Sequence, residues 1–494
     1  MNATIARTQG NATASFKEQL LIFLIALFAY GYFSVETDAN ANSRLALIKA
    51  VVEEHRLEID SYQNTSLPTS DKALFNNHYY SDKAIGSSLL GLPLYYLIFT
   101  IDTLVKFPLP TLVFVQLLTF LAVSLPSALL APLIYSFTKR VVKNGAFAIV
   151  ISLGVCLGTP IYAYSTTYYG HSLGGLFLFA SFYIWFKAHD QKEIDWKLAL
   201  LSGLFLGLAV VTEYPTILIA AFISLYIVYI LWRLGNTQEW RGYLPIFVGA
   251  AIPLFILLVY NYSIFGNALT LSYSHESSQD FYTVQNTGVM GIGPPSWLIL
   301  FYMTFHTTMG IFWQSPILLL SFAGWFVARK IPELIPEAIL SLLAIGAYFV
   351  VFSGYHTWWG GLAFTPRHLI PSYPFFSIPL ALVAKKIKGA LILLAPVSIG
   401  QMFIVAASSR QGLNTITQFS SRYYRMFENS TIYSIYFRNF LEQRLTFNRG
   451  EQMLGMTGFA SLIPLILLEG LLLASYIRLV GKQNQAGSNQ QNFE

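Results

Sequence analysis

Apolar stretches, each long enough to cross a lipid bilayer, follow one another along almost the entire chain. A transmembrane helix needs about twenty mainly apolar residues, because the hydrocarbon core is about 30 Å thick. Backbone polar groups in that core must bond to one another, so the stretches are predicted to be helices. About twelve spans are predicted, over residues 18–35, 111–137, 145–164, 171–186, 198–213, 216–232, 243–264, 311–328, 337–353, 369–384, 389–406 and 457–478. The pattern predicts an all-α polytopic membrane protein.

One further apolar run, 86–104, contains Gly, Ser and Pro and is predicted to stay outside as a surface or re-entrant helix. Lysine and arginine concentrate in cytoplasmic loops. With 86–104 outside, the span 111–137 runs inward and delivers Lys139, Arg140 and Lys143 to the cytoplasm. The later loops then alternate between the two sides of the membrane, with the loops rich in lysine and arginine on the cytoplasmic side. Both chain ends are predicted to be cytoplasmic.

These assignments divide the chain into one membrane domain and two tails. We expect a cytoplasmic tail at 1–17, followed by an uncleaved signal anchor, and a transmembrane domain over 18–480. Two long loops, 36–110 and 407–455, are predicted on the extracytoplasmic side. The Gln- and Asn-rich end, 481–494, is predicted to be disordered.

Composition excludes several classes of function. Hydrophobic residues make up 55% of the chain and charged residues 11%, whereas about a quarter of a soluble domain is charged. The net charge of +6 comes without a basic tail or stripe, so nucleic acid is not a predicted partner. Cys156 is the one cysteine, which excludes an intramolecular disulfide and a cysteine metal site.

The first long loop is dense in charge and directly follows the first span. Within it, 43–57 has helical spacing, with Leu45, Ile48, Val51 and Val52 on one side. An apolar side opposite charged residues is typical of a helix lying on a membrane surface. The sequence therefore predicts a surface helix here, and the 86–104 run supplies a second.

Two acidic residues, Glu36 and Asp38, stand where the first span meets the exterior. A solvated helix end is one interpretation of such an acid. A general base is the other, since a carboxylate shielded by lipid can take the proton of an attacking hydroxyl. The second acid, the Asn-Ala-Asn-Ser-Arg that ends at Arg44 and a later charged cluster favour the base.

That later cluster is His78-Tyr-Tyr-Ser-Asp-Lys, whose candidate substrate-binding residues are His78, Tyr80, Asp82 and Lys83. A lysine at the membrane interface often only extends toward water. Here Lys83 precedes an apolar helix, and the free N–H groups of a helix N-terminus also favour an anion. A lipid phosphate is the expected ligand.

The third candidate region is the turn 354–368, which contains Trp358-Trp359-Gly-Gly and ends in Pro-Arg367. The tryptophans alone are typical of an interfacial aromatic belt. A tight Gly-Gly turn followed by arginine also suits bidentate binding of phosphate.

Two weaker candidates, His171 and Glu213, lie at the predicted exterior edge of spans. Ionisable residues there usually face a cavity, although either residue is equally compatible with a paired helix end.

These motifs together resemble those of the type C membrane glycosyltransferases (GT-C). The resemblance lies in 36–96, with its acidic opening and Tyr-Tyr-Ser-Asp-Lys-Ala-x-Gly, and in 354–375, with Trp-Gly-Gly and Pro-Arg-x-Leu-x-Pro. Among these enzymes the chain is most similar to the group of the protein O-mannosyltransferases and the aminoarabinose transferase of lipid A.

The resemblance implies an enzyme of the inner (cytoplasmic) membrane that works on its extracytoplasmic face. Its donor would be a sugar linked to polyprenyl phosphate, and its acceptor a lipid, glycan or protein hydroxyl. Asp38, or Glu36, is similar in place to the general base of the family, and Lys83 and Arg367 to the residues that contact the lipid phosphate. The reaction would invert the anomeric carbon.

The chain departs from the aminoarabinose-transferase pattern at two positions. Ala41 stands where an acid precedes Arg44 by three residues, and Lys83 is followed by Ala-Ile-Gly instead of two prolines. The choice of base therefore stays open between Glu36 and Asp38. No cofactor is required, although a divalent ion at the two acids is possible.

Three other functions compete with the transferase. A lipid or polysaccharide transporter (flippase) would place charges at mid-membrane, whereas the candidates here cluster at one interface. A polymer ligase would use a lipid diphosphate, and the five arginines of 422–449 are compatible with that. A non-catalytic scaffold would tolerate loss of Asp38 and Lys83.

Overall fold

The computed structural model describes most of the chain, over residues 14–35, 37–106, 109–191, 195–234, 239–285, 287–361, 363–411 and 431–491. Glu36, residues 1–13 of the predicted N-terminal tail and residues 412–430 of the second long loop, with Arg422 and Arg425, lie outside the described residues.

Helices dominate the first half of the described chain. They are α1 (Phe16–Tyr32), α2 (Ala39–Lys49), α3 (Gly86–Val105), α4 (Thr111–Thr119), α5 (Leu125–Ala128), α6 (Leu130–Val142), α7 (Gly145–Cys156), α8 (Ile161–Tyr164) and α9 (His171–Gln191). Turns of π-helix extend α2 over Ala50–Glu54 and α4 over Phe120–Ser124.

The second half continues in the same way. Its helices are α10 (Trp196–Thr212), α11 (Ile217–Arg233), α12 (Glu239–Phe265), α13 (Gln279–Gln285), α14 (Trp297–Thr304), α15 (Ile311–Gln314), α16 (Leu320–Ala328), α17 (Ile335–Ser353), α18 (Ser377–Val383), α19 (Lys388–Ala407), α20 (Arg438–Leu441), α21 (Arg449–Leu454) and α22 (Ile463–Gln491). Tighter or wider turns cover Tyr214–Thr216, Ser272–His275, Pro316–Leu319, Pro332–Leu334, Arg367–Phe376, Ile432–Phe437 and Gly458–Leu462.

A two-stranded hairpin interrupts the first long loop, and the sequence analysis did not predict it. Strands β1 (Lys72–Phe75) and β2 (His78–Ser81) pair antiparallel, with Lys72 opposite Ser81. Asn76 and Asn77 form the turn, both with positive φ (50° and 62°). Two left-handed residues match the twist of a tight hairpin, and asparagine tolerates that conformation. The hairpin carries the chain to Asp82 and Lys83.

The prediction of an all-α polytopic membrane protein is confirmed. Seven described helices are long and apolar enough to cross a membrane: Gly86–Val105, Thr111–Val142, Tyr214–Arg233, Tyr243–Phe265, Pro332–Ser353, Lys388–Ala407 and Gly458–Gln483. Shorter apolar helices occupy Gly145–Cys156, Trp196–Thr212 and Pro316–Ala328. The first of the seven is the run predicted to stay on the surface, whose length also allows it to span.

Three stretches predicted as single spans are broken. They are 145–164, 311–328 and 369–384, each divided into shorter helical pieces. The divisions lie at or beside Pro160, Pro316, Pro371 and Pro374. Proline has no N–H to donate and its ring clashes with the preceding turn, so a continuous α-helix ends there.

Two local predictions need correction. The helix predicted over 43–57 begins earlier, at Ala39, and is buried on nearly all sides instead of lying on a surface. Its polar residues, such as Ser43 and Arg44, have bonding partners inside the protein, which permits their burial. The tail predicted to be disordered from 481 continues α22 to Gln491, since extending an existing helix costs little.

Close helix packing positions the membrane-facing elements relative to one another. Helices α10 and α12 pack together, and Gly203 of α10 lies directly against the backbone of Ile246. Helix α9 packs on the turn Arg367–Phe376 and so connects the middle of the chain with its later part.

Replacement of Gly203 by alanine is expected to destabilise the protein by about 1–3 kcal/mol, because the new methyl group would meet a backbone that cannot yield cheaply. The matched control is Gly346→Ala in α17, where nothing lies within 4 Å and alanine improves helix propensity. Thermal unfolding in detergent should show a lower Tm for the first variant and an unchanged or higher Tm for the second. Equal shifts in both would contradict this packing.

Candidate active site

The N-terminus of α2 fixes the position of Asp38. Its Oδ1 accepts a hydrogen bond from the backbone N–H of Ala41 at 3.1 Å, so this residue caps the helix. An aspartate cap satisfies one of the free N–H groups of the first turn, which explains why the helix begins here. The other oxygen, Oδ2, is left to face the interior, and the side chain is 24% exposed.

Tyr169 lies between Asp38 and Arg367. Its hydroxyl donates to Oδ2 of Asp38. The same hydroxyl oxygen accepts from Nη1 of Arg367 at 3.2 Å. Burial, together with the charge of Asp38, raises the pKa of Tyr169, so the hydroxyl keeps its proton. The three side chains come from widely separated parts of the sequence and form a continuous hydrogen-bonded chain.

Arg367 has donor capacity that the described protein does not use. Gly360 and Gly361 adopt positive φ (86° and 75°), and a Cβ on Gly360 would lie 2.9 Å from Cγ of Arg367. The Gly-Gly turn therefore lets the arginine fold back over the site. No described group accepts from its Nε, and no described carboxylate forms an ion pair with it.

A second arginine, Arg410, completes this half of the site. It follows α19, and its Nη1 lies 3.6 Å from Oδ2 of Asp38. The side chain is 30% exposed, so its guanidinium also has access to a ligand. Asp38 is thus flanked by the two positive charges of Arg367 and Arg410 and by the Tyr169 hydroxyl. The sequence analysis missed Arg410, which lies in an unremarkable Ser-Ser-Arg after a span.

Lys83 lies in a buried cluster of acids. Its Nζ is 2.6 Å from Oδ2 of Asp82 and 2.8 Å from Oδ2 of Asp71. Burial lowers the pKa of Lys83, but attraction to the two carboxylates outweighs this and raises it. Burial likewise favours a higher pKa for Asp71, but Lys83, Arg367 and Arg44 lower it. The lysine and Asp71 are therefore both charged.

Glu276 adds a third acid to the Lys83 cluster. Its backbone forms a β-bridge with Ala73 of β1, and the Ser272 hydroxyl donates to the carbonyl of Asp82 at 2.9 Å. Burial and the negative charge of Asp82 raise the pKa of Glu276. Asp71 and Glu276 were both missed by the sequence analysis, because the hairpin that brings them together was not predicted.

Arg44 joins three helices and has little capacity left for a substrate. Its guanidinium donates to Ser87 Oγ (2.8 Å) and to the Ala84 carbonyl (3.1 Å), and lies 3.2 Å from Oε1 of Glu213. Nδ1 of His171 lies 3.3 Å from the same carboxylate oxygen. Arg44 is 2% exposed, so its contacts are those of a structural residue.

The remaining predicted site residues divide between the two clusters and the surface. His171 stacks near Tyr169, with 5.7 Å between ring centroids, so His171 and Glu213 adjoin the site. His78 is exposed and pairs with Asp60, which places it away from these clusters. Tyr80 is buried in an apolar cluster with Ala73 and Ile264, and its hydroxyl donates to Glu58 at 3.4 Å. The structure therefore brings Asp38, Arg367 and Lys83 into one region but leaves His78 and Tyr80 outside it.

In the described part of the chain, no three or more His, Cys, Asp or Glu side chains are arranged so that they could hold a metal ion. The oxygens of Asp38 already accept from Ala41 and Tyr169, and Arg410 places a positive charge beside them. Glu36, the other acid of the predicted divalent-ion site, lies outside the described residues, so that ion stays a prediction.

Comparison with known proteins gives structural likeness only. No protein-family model and no curated protein matches the chain. ArnT from Cupriavidus metallidurans bound to undecaprenyl phosphate has 15% identity, covering 78% of this chain and 61% of that one at a TM-score of 0.44.

Two structures of an oligosaccharyltransferase from Archaeoglobus fulgidus are also similar. The apo form has 13% identity over 79% of this chain and 54% of that one, with a TM-score of 0.46. The second, AglB in complex with an inhibitory peptide and a dolichol-phosphate, has 12% identity over 79% and 55%, with a TM-score of 0.44. This chain thus spans about half to three-fifths of the length of these structures.

Replacement of Arg44 by methionine is expected to destabilise the protein by about 3–5 kcal/mol, since it leaves the buried carboxylate of Glu213 without its charged partner. The control is Arg438→Met, whose side chain is 69% exposed and pairs with Glu442 at the surface. Thermal unfolding of both variants measures the difference. If Arg44→Met unfolded like the control, the structural assignment of Arg44 would be wrong.

A pH series tests the environment of Glu276. In the unfolded chain its pKa is near 4.5, and in the folded protein it is raised. Ionisation then favours the unfolded state, so stability falls as the pH rises from about 4.5 toward the folded pKa. Glu276→Gln should therefore raise Tm more at pH 8 than at pH 5. A gain that is the same at both pH values would contradict the raised pKa.

Proposed function

We propose that this protein is an integral-membrane glycosyltransferase that moves a sugar from a polyprenyl-phosphate donor to an acceptor hydroxyl, on the extracytoplasmic face of the inner (cytoplasmic) membrane. The observation that carries the proposal is the meeting of the Asp38 carboxylate with Arg367 and Arg410 around Tyr169. It combines a proton acceptor with positive charges suited to a departing phosphate.

The positive side of this site suits the leaving group. When the bond between the anomeric carbon and the phosphate oxygen breaks, its electron pair goes to the phosphate, which becomes a dianion. Arginine binds phosphate through two parallel N–H groups, and such charged hydrogen bonds are about twice as strong as neutral ones. Arg367, with its unused Nε donor, and Arg410 are assigned to this charge.

Asp38 is assigned as the general base. The acceptor hydroxyl attacks the anomeric carbon from the side opposite the phosphate and gives its proton to Oδ2 of Asp38. One displacement of this kind inverts the anomeric configuration. Tyr169, which donates to the same oxygen, orients the carboxylate and separates it from Arg367, so that of these two arginines only Arg410 pairs with the base, at 3.6 Å.

Lys83 is assigned a secondary part. An ammonium group has three N–H donors, and two of them are directed to Asp71 and Asp82. The third is assigned to the donor phosphate, the ligand that the sequence predicts for Lys83. The main contribution of Lys83 is the fixed position of the hairpin beside Arg367, whose charge acts on Asp71.

Sugar transfer by the variant Asp38→Asn tests the proposal. Asparagine keeps the helix cap but cannot accept the proton, so the transfer rate should fall by about 10²–10⁴-fold with little change in Tm. The assay follows radiolabelled sugar from a polyprenyl-phosphate donor into acceptors of bacterial membranes that contain the purified chain, with and without EDTA.

The matched control is Asp195→Asn, at the exposed N-cap of α10, where the aspartate accepts from the N–H of Lys197. It should transfer sugar like the wild type. Transfer by Asp38→Asn at the wild-type rate would refute the general base. Activity only with a polyprenyl-diphosphate donor would instead support the polymer ligase, and loss of transfer in EDTA would show a metal requirement that the proposed mechanism lacks.

A further inference from the structure

A cavity of about 360 Å³ lies between α1 and α4, and neither Arg367 nor Arg410 is part of its lining. Residues of α1 and the segment after it line one wall, and residues of α4 line the other. Its polar lining includes Thr37, Gln116, Thr166 and Arg449. A volume near the lower end of the range for ligand sites suits one sugar-sized unit or a lipid headgroup.

Arg449 supplies a positive charge to this cavity. Its Nε donates to the carbonyl of Gly31 at 3.3 Å, and its Nη1 donates to Oε1 of Gln116 at 3.1 Å and also to Oε1 of Gln452. These acceptors are all neutral, and within the described ranges no carboxylate forms an ion pair with Arg449. A partly buried charge without a counter-charge is costly, unless a ligand supplies one.

Gln116 provides a second and independent indication of a ligand. The residue is 7% exposed and lines the cavity, but its Nε2 has no acceptor in the described protein. Its Oε1 is already used, since it accepts from Arg449 and from Nε2 of Gln452 at 3.2 Å. An unsatisfied buried N–H donor beside an uncompensated arginine is a pair of groups that suits an anion.

The position of the cavity links it to the reaction. Thr37, the residue immediately before Asp38, and Thr166, three residues before Tyr169, both line it. The cavity therefore reaches the residue next to the proposed base. Leu112 also lines the cavity and is 58% exposed on α4, so the space reaches an apolar outer surface.

We infer that this cavity is the acceptor subsite and that the acceptor carries an anionic group, phosphate or carboxylate, which binds Arg449 and Gln116. This inference rests on the proposed function. The anion is held at the Arg449 end of the cavity, and the reacting hydroxyl is directed toward Asp38 at the Thr37 end. Neutral protein hydroxyls are disfavoured, because they would leave the charge of Arg449 uncompensated.

Binding of dodecyl phosphate, measured by calorimetry on the full chain in neutral detergent, tests the anion site without any sugar transfer. The wild type should bind two equivalents, one at Arg367 and Arg410 and one at Arg449. In Arg449→Gln, the affinity of the Arg449 site for dodecyl phosphate should fall roughly tenfold or more, so that one equivalent is lost. In Arg367→Gln, the equivalent bound at Arg367 and Arg410 should be lost instead. Gln116→Glu should behave like Arg449→Gln, because the new carboxylate would pair with the arginine.

The matched control is Arg444→Gln, in the same part of the chain, where the arginine is half-exposed and pairs with Glu442 instead of lining the cavity. It should retain both equivalents. Inorganic phosphate as competitor distinguishes the source of the anion. If inorganic phosphate displaces dodecyl phosphate from the Arg449 site at a concentration similar to that of dodecyl phosphate, the site recognises the anionic group alone. If inorganic phosphate does not displace it, the site recognises a lipid headgroup. If Arg449→Gln and Gln116→Glu both bind like the control, the inference is refuted.

Sugar transfer then tests the acceptor role separately. With an extract of envelope lipids titrated as acceptor, Arg449→Gln should need about tenfold more extract for half-maximal rate, with an unchanged KM for the donor. Unchanged dependence on the extract would overturn the acceptor assignment. If Asp38→Asn transfers sugar at the wild-type rate while Arg449→Gln binds one equivalent of dodecyl phosphate fewer, the proposed function is wrong. The anion site at Arg449 is then still supported.

Discussion

The contact of Asp38 with its three neighbours is the interaction on which the rest of the site depends. One carboxylate oxygen caps the N-terminus of α2 by accepting from the N–H of Ala41, and the other contacts Tyr169 and Arg410. The same residue thus starts a helix in the first long loop and connects that loop to two later parts of the chain. Since a buried charge is stable only with partners of this kind, the positions of α2, the turn before α9 and the end of α19 depend on one another. Loss of any one partner would leave the others incompletely bonded.

The second cluster extends this dependence to the hairpin. Lys83 is held by Asp71 and Asp82, and Arg44 is held by Glu213, so that β1, β2, α2 and α10 share buried ionic contacts. The positive charge of Arg367 lowers the pKa of Asp71, so the two clusters interact electrostatically. The four cations of the two clusters therefore differ in their partners. Lys83 and Arg44 are largely neutralised by protein acids, whereas Arg367 and Arg410 keep capacity for an external anion.

Sequence patterns predicted the class of fold, and they named Asp38 and Arg367, which Tyr169 connects, and Lys83, which lies in the second cluster. The apolar runs predict helices because no other local structure satisfies the backbone within lipid. Asp38, Lys83 and Arg367 were found because each stands beside a glycine, proline or helix boundary. Residues held in place by distant partners were missed. Arg410 is in a featureless segment, and Asp71 joins the site only through a hairpin whose Asn76-Asn77 turn was overlooked. The burial of α2 was likewise hidden, because the bonding partners of Arg44 lie as far away in sequence as Glu213.

The central claim is that Asp38 faces a sugar whose phosphate lies on Arg367 and Arg410. An experimental structure of the protein with a non-hydrolysable polyprenyl-phosphonate sugar tests it most directly. The account predicts phosphonate oxygens within hydrogen-bond distance of both guanidinium groups and the anomeric carbon on the side of Asp38 Oδ2. A phosphonate bound elsewhere, with Asp38 still enclosed between Tyr169 and Arg410, would contradict it.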